Sequence, residues 1–187
     1  MVEKLKKEKY KDGTPFNVQR CNKGGKHSGQ KGYSTIETQN IIKKYGSENV
    51  ISIVPHWNGA AGNYHGTFVN KVSKGVREDS MRLAECMVTE FLKIKEKRTK
   101  LSIPTGMMDG TCGIKNLGES NTDGAPQLNC ACVMTENWFA DYPAGCNWSS
   151  EPPAENSGRR WLLSDEGIEE ISTAHVNGIK RYIDTLS

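Results

Sequence analysis

No stretch of this chain approaches the roughly 18 consecutive apolar residues that a membrane-spanning helix needs, so insertion into a bilayer is not expected. The opening run, Met1-Val-Glu-Lys-Leu-Lys-Lys-Glu-Lys-Tyr10, is charged throughout and has no apolar centre of the signal-peptide kind. Nothing in it directs export. The six cysteines (Cys21, Cys86, Cys112, Cys130, Cys132 and Cys146) form neither a zinc-finger nor a Cys-x-x-Cys spacing. Without an export signal they are expected as free thiols rather than a disulfide framework. There is no internal repeat, no low-complexity tract and no recognisable nucleic-acid motif. A net charge of +3 is too small to argue for nucleic acid as a partner.

What is present suits one domain of ordinary size. The 187 residues can bury a real core, and a mean hydropathy of −0.64 with 25% charged residues describes a soluble globular chain. Five lysines fall within the first eleven residues. They favour a solvated helix face over a dedicated surface for an anionic polymer.

Residues 1–11 read as a helix stopped by Asp12-Gly13 and Pro15, with a short strand over Phe16 to Arg20 and a glycine- and lysine-rich loop over Asn22 to Gly32. Ser34 and Glu37 match a capping box that opens a helix to about Tyr45, with Gly46 at its end. Val50 to Val54 is an apolar run of buried-strand length, and Thr67 to Val72 is a second strand candidate. Asp79 or Ser80 suits the cap of a helix carrying Leu83, Ala84, Met87, Val88, Phe91 and Leu92 at helical spacing. Ser102 to Asn129 reads as a long loop, Ala131 to Met134 as a buried strand with Cys130 and Cys132 on one face, and Asp141 to Arg160 as loop again. The closing helix is the plainest element: Ser164 caps it, Asp165 and Glu166 suit its positive end, and Ile168, Ile171, His175, Ile179, Tyr182 and Leu186 line one face. Alternating strands and helices predict an α/β fold, a single domain over residues 1–187 with a largely parallel twisted sheet flanked by helices.

In such sheets, sites form at the carboxyl ends of strands. His56 and Glu136 each follow a predicted strand. A neutral imidazole there suits a zinc ligand, and a carboxylate suits a general base. Taken singly, each is better explained by a structural role, a loop hydrogen bond for His56 and a cation partner or a cap for Glu136.

Four segments taken together carry a resemblance. They are Ile51-Ser-Ile-Val-Pro-His-Trp-Asn58 with Ala60-Ala-Gly-Asn63; Gly66-Thr-Phe-Val69 through Lys74-Gly75 to Asp79-Ser-Met-Arg-Leu-Ala84; Cys132-Val-Met-Thr-Glu-Asn-Trp-Phe139; and Trp161-Leu-Leu-Ser-Asp-Glu-Gly167 with His175-Val-Asn-Gly-Ile-Lys-Arg-Tyr182. In this order they resemble the catalytic domain of the zinc-dependent N-acetylmuramoyl-L-alanine amidases, over about Tyr33 to Tyr182. The resemblance implies a peptidoglycan hydrolase that cleaves the amide between N-acetylmuramic acid and L-alanine. It implies zinc as cofactor, His56 as a metal ligand, Glu136 as the catalytic base, and Asn58 and Trp138 at the substrate, with Tyr142 and the loop 102–129 on the cleft rim. It also implies a peptidoglycan partner and action at the cell wall, as a phage lysin or in a longer secreted form.

The match departs from the family in two places. The family's other zinc ligands, a His in a Gly-His-Gly-Gly-like turn and a Glu opening the first helix, have no counterpart, as though the chain began inside that helix. Val54 and Pro55 are inserted before His56. His27, in a glycine-rich run, and Glu37 stand too close to His56 to replace the missing pair. His65, in a loop, and His175, on a packing face, are weaker ligand candidates. The alternative is a non-catalytic cell-wall-binding remnant with an incomplete zinc site.

Overall fold

The computed structural model describes residues 1–20, 33–58, 65–69, 74–97, 105–107, 129–139, 161 and 164–186. Among them are four α-helices, α1 (Val2–Leu5), α2 (Tyr33–Tyr45), α3 (Lys74–Lys97) and α4 (Asp165–Asp184). There are four strands, β1 (Ile51–Asn58), β2 (His65–Val69), β3 (Thr105–Met107) and β4 (Ala131–Phe139). The expected mixture of helix and strand is present. The sheet, however, is mixed rather than largely parallel. Its order is β1-β4-β2-β3, with β1–β4 and β2–β3 parallel and the middle ladder β2–β4 antiparallel. No helix among the described residues is long and apolar enough to cross a membrane.

The core lies between α3, α4 and one face of the sheet. Leu83, Ala84 and Met87 of α3 meet Val176, Ile179 and Tyr182 of α4 over Ala131 and Val133 of β4. A second cluster, Phe91, Ile94, Trp161, Ile171 and Ala174, continues it along the same helix pair. The helices approach closely at Gly178, where a Cβ would lie 2.6 Å from Met87 Sδ and 3.1 Å from Met87 Cα. Ser164 caps α4 as expected, its Oγ accepting from Gly167 N at 3.0 Å.

Several boundaries differ from expectation, each for a local reason. The amino-terminal helix stops at Leu5, because the chain turns back on itself. Asp12 Oδ1 accepts from Thr14 N at 2.8 Å, Gly13 takes φ +86°, and Lys9 bridges to Pro15. Phe16 to Arg20 form no strand, although Phe16 and Val18 pack on the core. Helix α2 begins at Tyr33, so Ser34 lies inside it, and Gly46 ends it at φ +86°. Helix α3 starts at Lys74, well before the expected caps. Asp79 therefore lies inside it facing Arg82 at 3.8 Å. Ser80 is buried and its Oγ accepts from Cys132 N at 3.0 Å, just past the end of the β2–β4 ladder. On its packing side Glu90 is buried where Leu92 was expected, and Leu92 is exposed. Strand β3 falls inside the segment read as loop 102–129. On α4 the buried face runs from Gly167 through Ile171 to Tyr182, and Ile168 and Leu186 are exposed.

The lysine-rich opening is folded onto α4. Lys4 pairs with Glu169 and reaches Thr173 Oγ1 at 2.7 Å, Lys180 reaches Glu8 at 2.6 Å, and Lys11 lies 3.4 Å from Asp184. Leu5 is buried beneath these contacts.

Candidate functional site

Strands β1 and β4 run side by side from Ile51↔Ala131 to His56↔Glu136 without a break. His56 and Glu136 thus lie within their strands rather than after them, as register partners on adjacent parallel strands about 4.8 Å apart. Val54 and Pro55 continue β1 up to His56. Pro55 is tolerated there because β1 is an edge strand among those described, and an edge has a side that needs no ladder donor. Just beyond, the register shifts, so that Asn58 pairs with Phe139 rather than with Trp138. Irregularities of this kind re-aim side chains and are common beside active sites.

Alternation assigns these positions a face. Val133, Thr135 and Asn137 are all buried on the side of β4 that meets α4. Position 136, and with it position 56, belongs to the opposite face.

On the α4 side a directed chain of hydrogen bonds brackets Glu136. His175 Nδ1 lies 2.8 Å from the carbonyl oxygen of Ile171, which can only accept, so Nδ1 carries the proton. The other ring nitrogen, Nε2, then accepts from the hydroxyl of Thr135 at 2.8 Å. Thr135 Oγ1 in turn accepts from Asn137 Nδ2 at 3.2 Å, and the same amide reaches Thr135 O at 3.2 Å. Phe91 meets the imidazole edge to face, with ring centroids 5.0 Å apart. Burial lowers the His175 pKa to about 4, the bond to Ile171 opposing it only in part, so the ring stays neutral. The expectation that His175 lies on a packing face holds, but its link to Thr135 and Asn137 was not foreseen. The available signal was polar residues on either side of Glu136 in a strand otherwise apolar enough for a core.

The thiols among the described residues are inert. Cys86, Cys130 and Cys132 are buried thiols outside any disulfide, and burial pushes Cys130 and Cys132 up to about 12. A thiolate is the reactive form, so these groups are unsuited to nucleophilic work at neutral pH. Away from the sheet, the carboxylate of Glu90 is held between Lys93 at 2.6 Å and Arg181 at 3.0 Å. Burial alone would raise its pKa, but the hydrogen bonds from those two cations outweigh burial and keep it below the usual range.

Of the remaining candidates, His65 lies in β2 rather than a loop, paired in register with Asn137. Glu37 is half-buried on α2, and its Oε2 finds no hydrogen-bond partner among the described residues. His27, Tyr142 and all of the loop 102–129 except Thr105–Met107 and Asn129 lie outside the described residues. Among the described residues no three His, Cys, Asp or Glu side chains gather as a metal shell. Searches with the whole chain against family models, characterised proteins and solved structures return no match.

Proposed function

We propose that this chain is the catalytic part of a peptidoglycan amidase, cleaving the bond between the lactyl group of N-acetylmuramic acid and L-alanine. The observation that carries the reading is the register of His56 with Glu136. Two residues far apart in sequence, each matching a functional position of the amidase motifs, meet across one ladder on the face turned away from the helical core. The structural bonding of Thr135 and Asn137 lies on the opposite face of β4, which supports assigning this face to chemistry.

In this reading Glu136 takes the proton of the attacking water and passes it to the departing amine of L-alanine, as a general base that becomes a general acid. His56 is a ligand for zinc, through a ring nitrogen. When bound, zinc supplies Lewis acidity to the attacking water and to the scissile carbonyl. A hydrolytic zinc takes three protein ligands, and His56 alone falls short of that number. The shell therefore requires donors beyond those gathered among the described residues.

The test is release of peptide from purified cell walls in the presence of zinc. Glu136→Gln keeps the size of the side chain but cannot accept a proton, and should lower turnover about 10² to 10⁴-fold with the fold intact. Near-wild-type release by this variant would contradict the assignment. The incomplete donor set favours, as second reading, a wall-binding module that keeps the groove without catalysis. Glycan binding that needs no zinc, with no peptide released by the wild-type chain, would select it.

A further inference from the structure

A groove of about 490 Å³ runs between the later turns of α3 and the end of α4, where Glu90 and Lys93 stand against Asn177, Lys180, Arg181 and Thr185. Among the described residues no aromatic or aliphatic side chain lines it. The Glu90 carboxylate is buried and both its oxygens are taken. Oε2 accepts from Lys93 Nζ at 2.6 Å, and Oε1 from Nε and Nη2 of Arg181 at 3.2 and 3.0 Å. Lys180 spends one donor on Glu8 at 2.6 Å. A lysine carries three donors and an arginine five. Lys93 and Lys180 therefore each keep two donors beyond these bonds, and Arg181 keeps three. The three side chains remain 59%, 45% and 47% exposed, so these donors face water and any ligand that replaces it.

The second observation is where the charge of the molecule sits. Residues 1–20 hold six Lys and Arg against three Asp and Glu, so the net +3 of the whole chain belongs to this arm and the rest is balanced. Helix α1 ends at Leu5, so Lys7, Lys9 and Lys11 do not form the helix face expected of them and are exposed on the turn that follows. Glu8 pairs with Lys180, and Lys11 with Asp184, which also lines the groove. These pairs bring the basic turn to the groove's edge.

We propose that this groove, with the basic arm at its edge, binds a polyol-phosphate chain of the cell wall. Lys93, Lys180 and Arg181 take the phosphates, and Asn177 and Thr185 the hydroxyls between them. The planar fork of arginine matches phosphate geometry, and a basic edge concentrates a polyanion. Single-stranded nucleic acid, the other polymer of this charge, is held by cations together with aromatic faces on which bases stack, and no aromatic among the described residues lines this groove. The choice of a wall polymer rests on the amidase reading; the groove and its charge do not. Helices α3 and α4 cover the face of β4 opposite to His56 and Glu136, so a chain held here tethers the protein to the wall without occupying the catalytic face.

The test titrates the full chain with a short soluble poly(glycerol phosphate) at several salt concentrations, with binding followed by calorimetry and no zinc added. Wild type should bind, and less tightly as salt rises, because the polymer's counterions are released on binding. Lys180→Ala and Lys93→Gln should each weaken binding about fivefold and lower the slope of log affinity against log salt by about one. Lys11→Ala, at the edge, should act in the same direction. Lys43→Ala, on α2 and outside the groove, should bind as wild type. No binding by wild type, or unchanged affinity in both Lys180→Ala and Lys93→Gln, would overturn the proposal. So would a loss in Lys43→Ala as large as theirs, because the attraction would then be diffuse. Single-stranded DNA of equal phosphate count binding as tightly would overturn the wall assignment, and poly-glutamate binding as tightly would overturn the recognition of phosphate. Polymer binding without peptide release from purified walls would sink the amidase reading and leave the groove standing.

Discussion

The two faces of β4 differ more than any two elements of the molecule. Toward α4, Ala131, Val133, Thr135 and Asn137 are buried, and the polar pair among them is bonded to His175 in a chain whose donor order is set by the Ile171 carbonyl. Away from α4, the alternate positions hold Met134, Glu136 and Trp138, with His56 alongside in register. One strand thus carries a bonded face toward α4 and, one residue out of phase, the face that the amidase reading assigns to chemistry. A strand's period of two makes this division possible, because a slip of one residue would exchange every role. The bond from Thr135 to His175 of α4, backed by the amide of Asn137, opposes that slip next to Glu136. Stability and function should therefore respond to different residues of the same strand.

The largest effect on the structural face should come from acid. The His175 pKa is lowered by burial from 6.5 to about 4. The unfolded chain therefore binds a proton between those values that the folded chain refuses. Stability linked to this group is fully present above pH 6.5 and is lost as pH falls toward 4. By pH 4 the loss should be about 3 kcal/mol. Denaturant titrations from pH 7.5 to 4 measure it, and His175→Phe should remove most of the slope in this window. A slope in wild type no steeper than in the variant would mean that His175 titrates normally and that the bonded chain does not hold.

The next effect separates the two faces directly. Thr135→Val keeps the shape of the side chain but takes away the hydroxyl that donates to His175 Nε2 and accepts from Asn137 Nδ2. An unsatisfied buried partner costs about 1–3 kcal/mol. The double variant Thr135→Val, His175→Leu should lose less than the sum of the single changes, because it removes both ends of one interaction. Glu136→Gln, by contrast, should leave the denaturation midpoint unchanged. If Glu136→Gln proved as destabilising as Thr135→Val, the division of β4 into two roles would fail.

Much of this frame was legible in the residues because it rests on local patterns. The apolar runs marked β1 and β4, although β1 lies at the edge of the described sheet rather than at its centre, helical spacing of Leu83, Ala84, Met87 and Phe91 marked α3, and Ser164 marked the start of α4. Boundaries failed where a tertiary partner overrode a local signal. Ser80 reads as a cap but accepts from the Cys132 backbone, and Leu92 reads as part of the packing face but is exposed, while Glu90 is buried between two cations. The antiparallel middle ladder was not legible at all, since strand direction depends on connections rather than on composition. His56 and Glu136 could be named from their motifs, but that they meet is a fact of register, which no local pattern encodes. The link from Thr135 to His175 spans 40 residues and has the same standing.

The smallest effect concerns the lysine-rich opening, whose attachment to α4 combines charge with burial. Lys180 and Glu8 meet at 2.6 Å, with their side chains 45% and 29% exposed. Pairs this wet return little, because the Coulomb gain is screened and two long side chains lose freedom; about 0–1 kcal/mol is usual. Leu5, in contrast, is buried against the core, and Met1 and Phe16 pack around it. If apolar contact holds the arm and the ion pairs only orient it, Lys180→Ala should shift stability by less than about 1 kcal/mol. Raising the salt to 1 M, where the screening length falls to about 3 Å, should do no more to wild type than the mutation does. Amide exchange at Leu5 and Glu8, whose N–H groups donate to Met1 O and Leu5 O, should stay slow in both cases. Fast exchange at these amides in Lys180→Ala would show that the charges, and not Leu5, keep the arm in place.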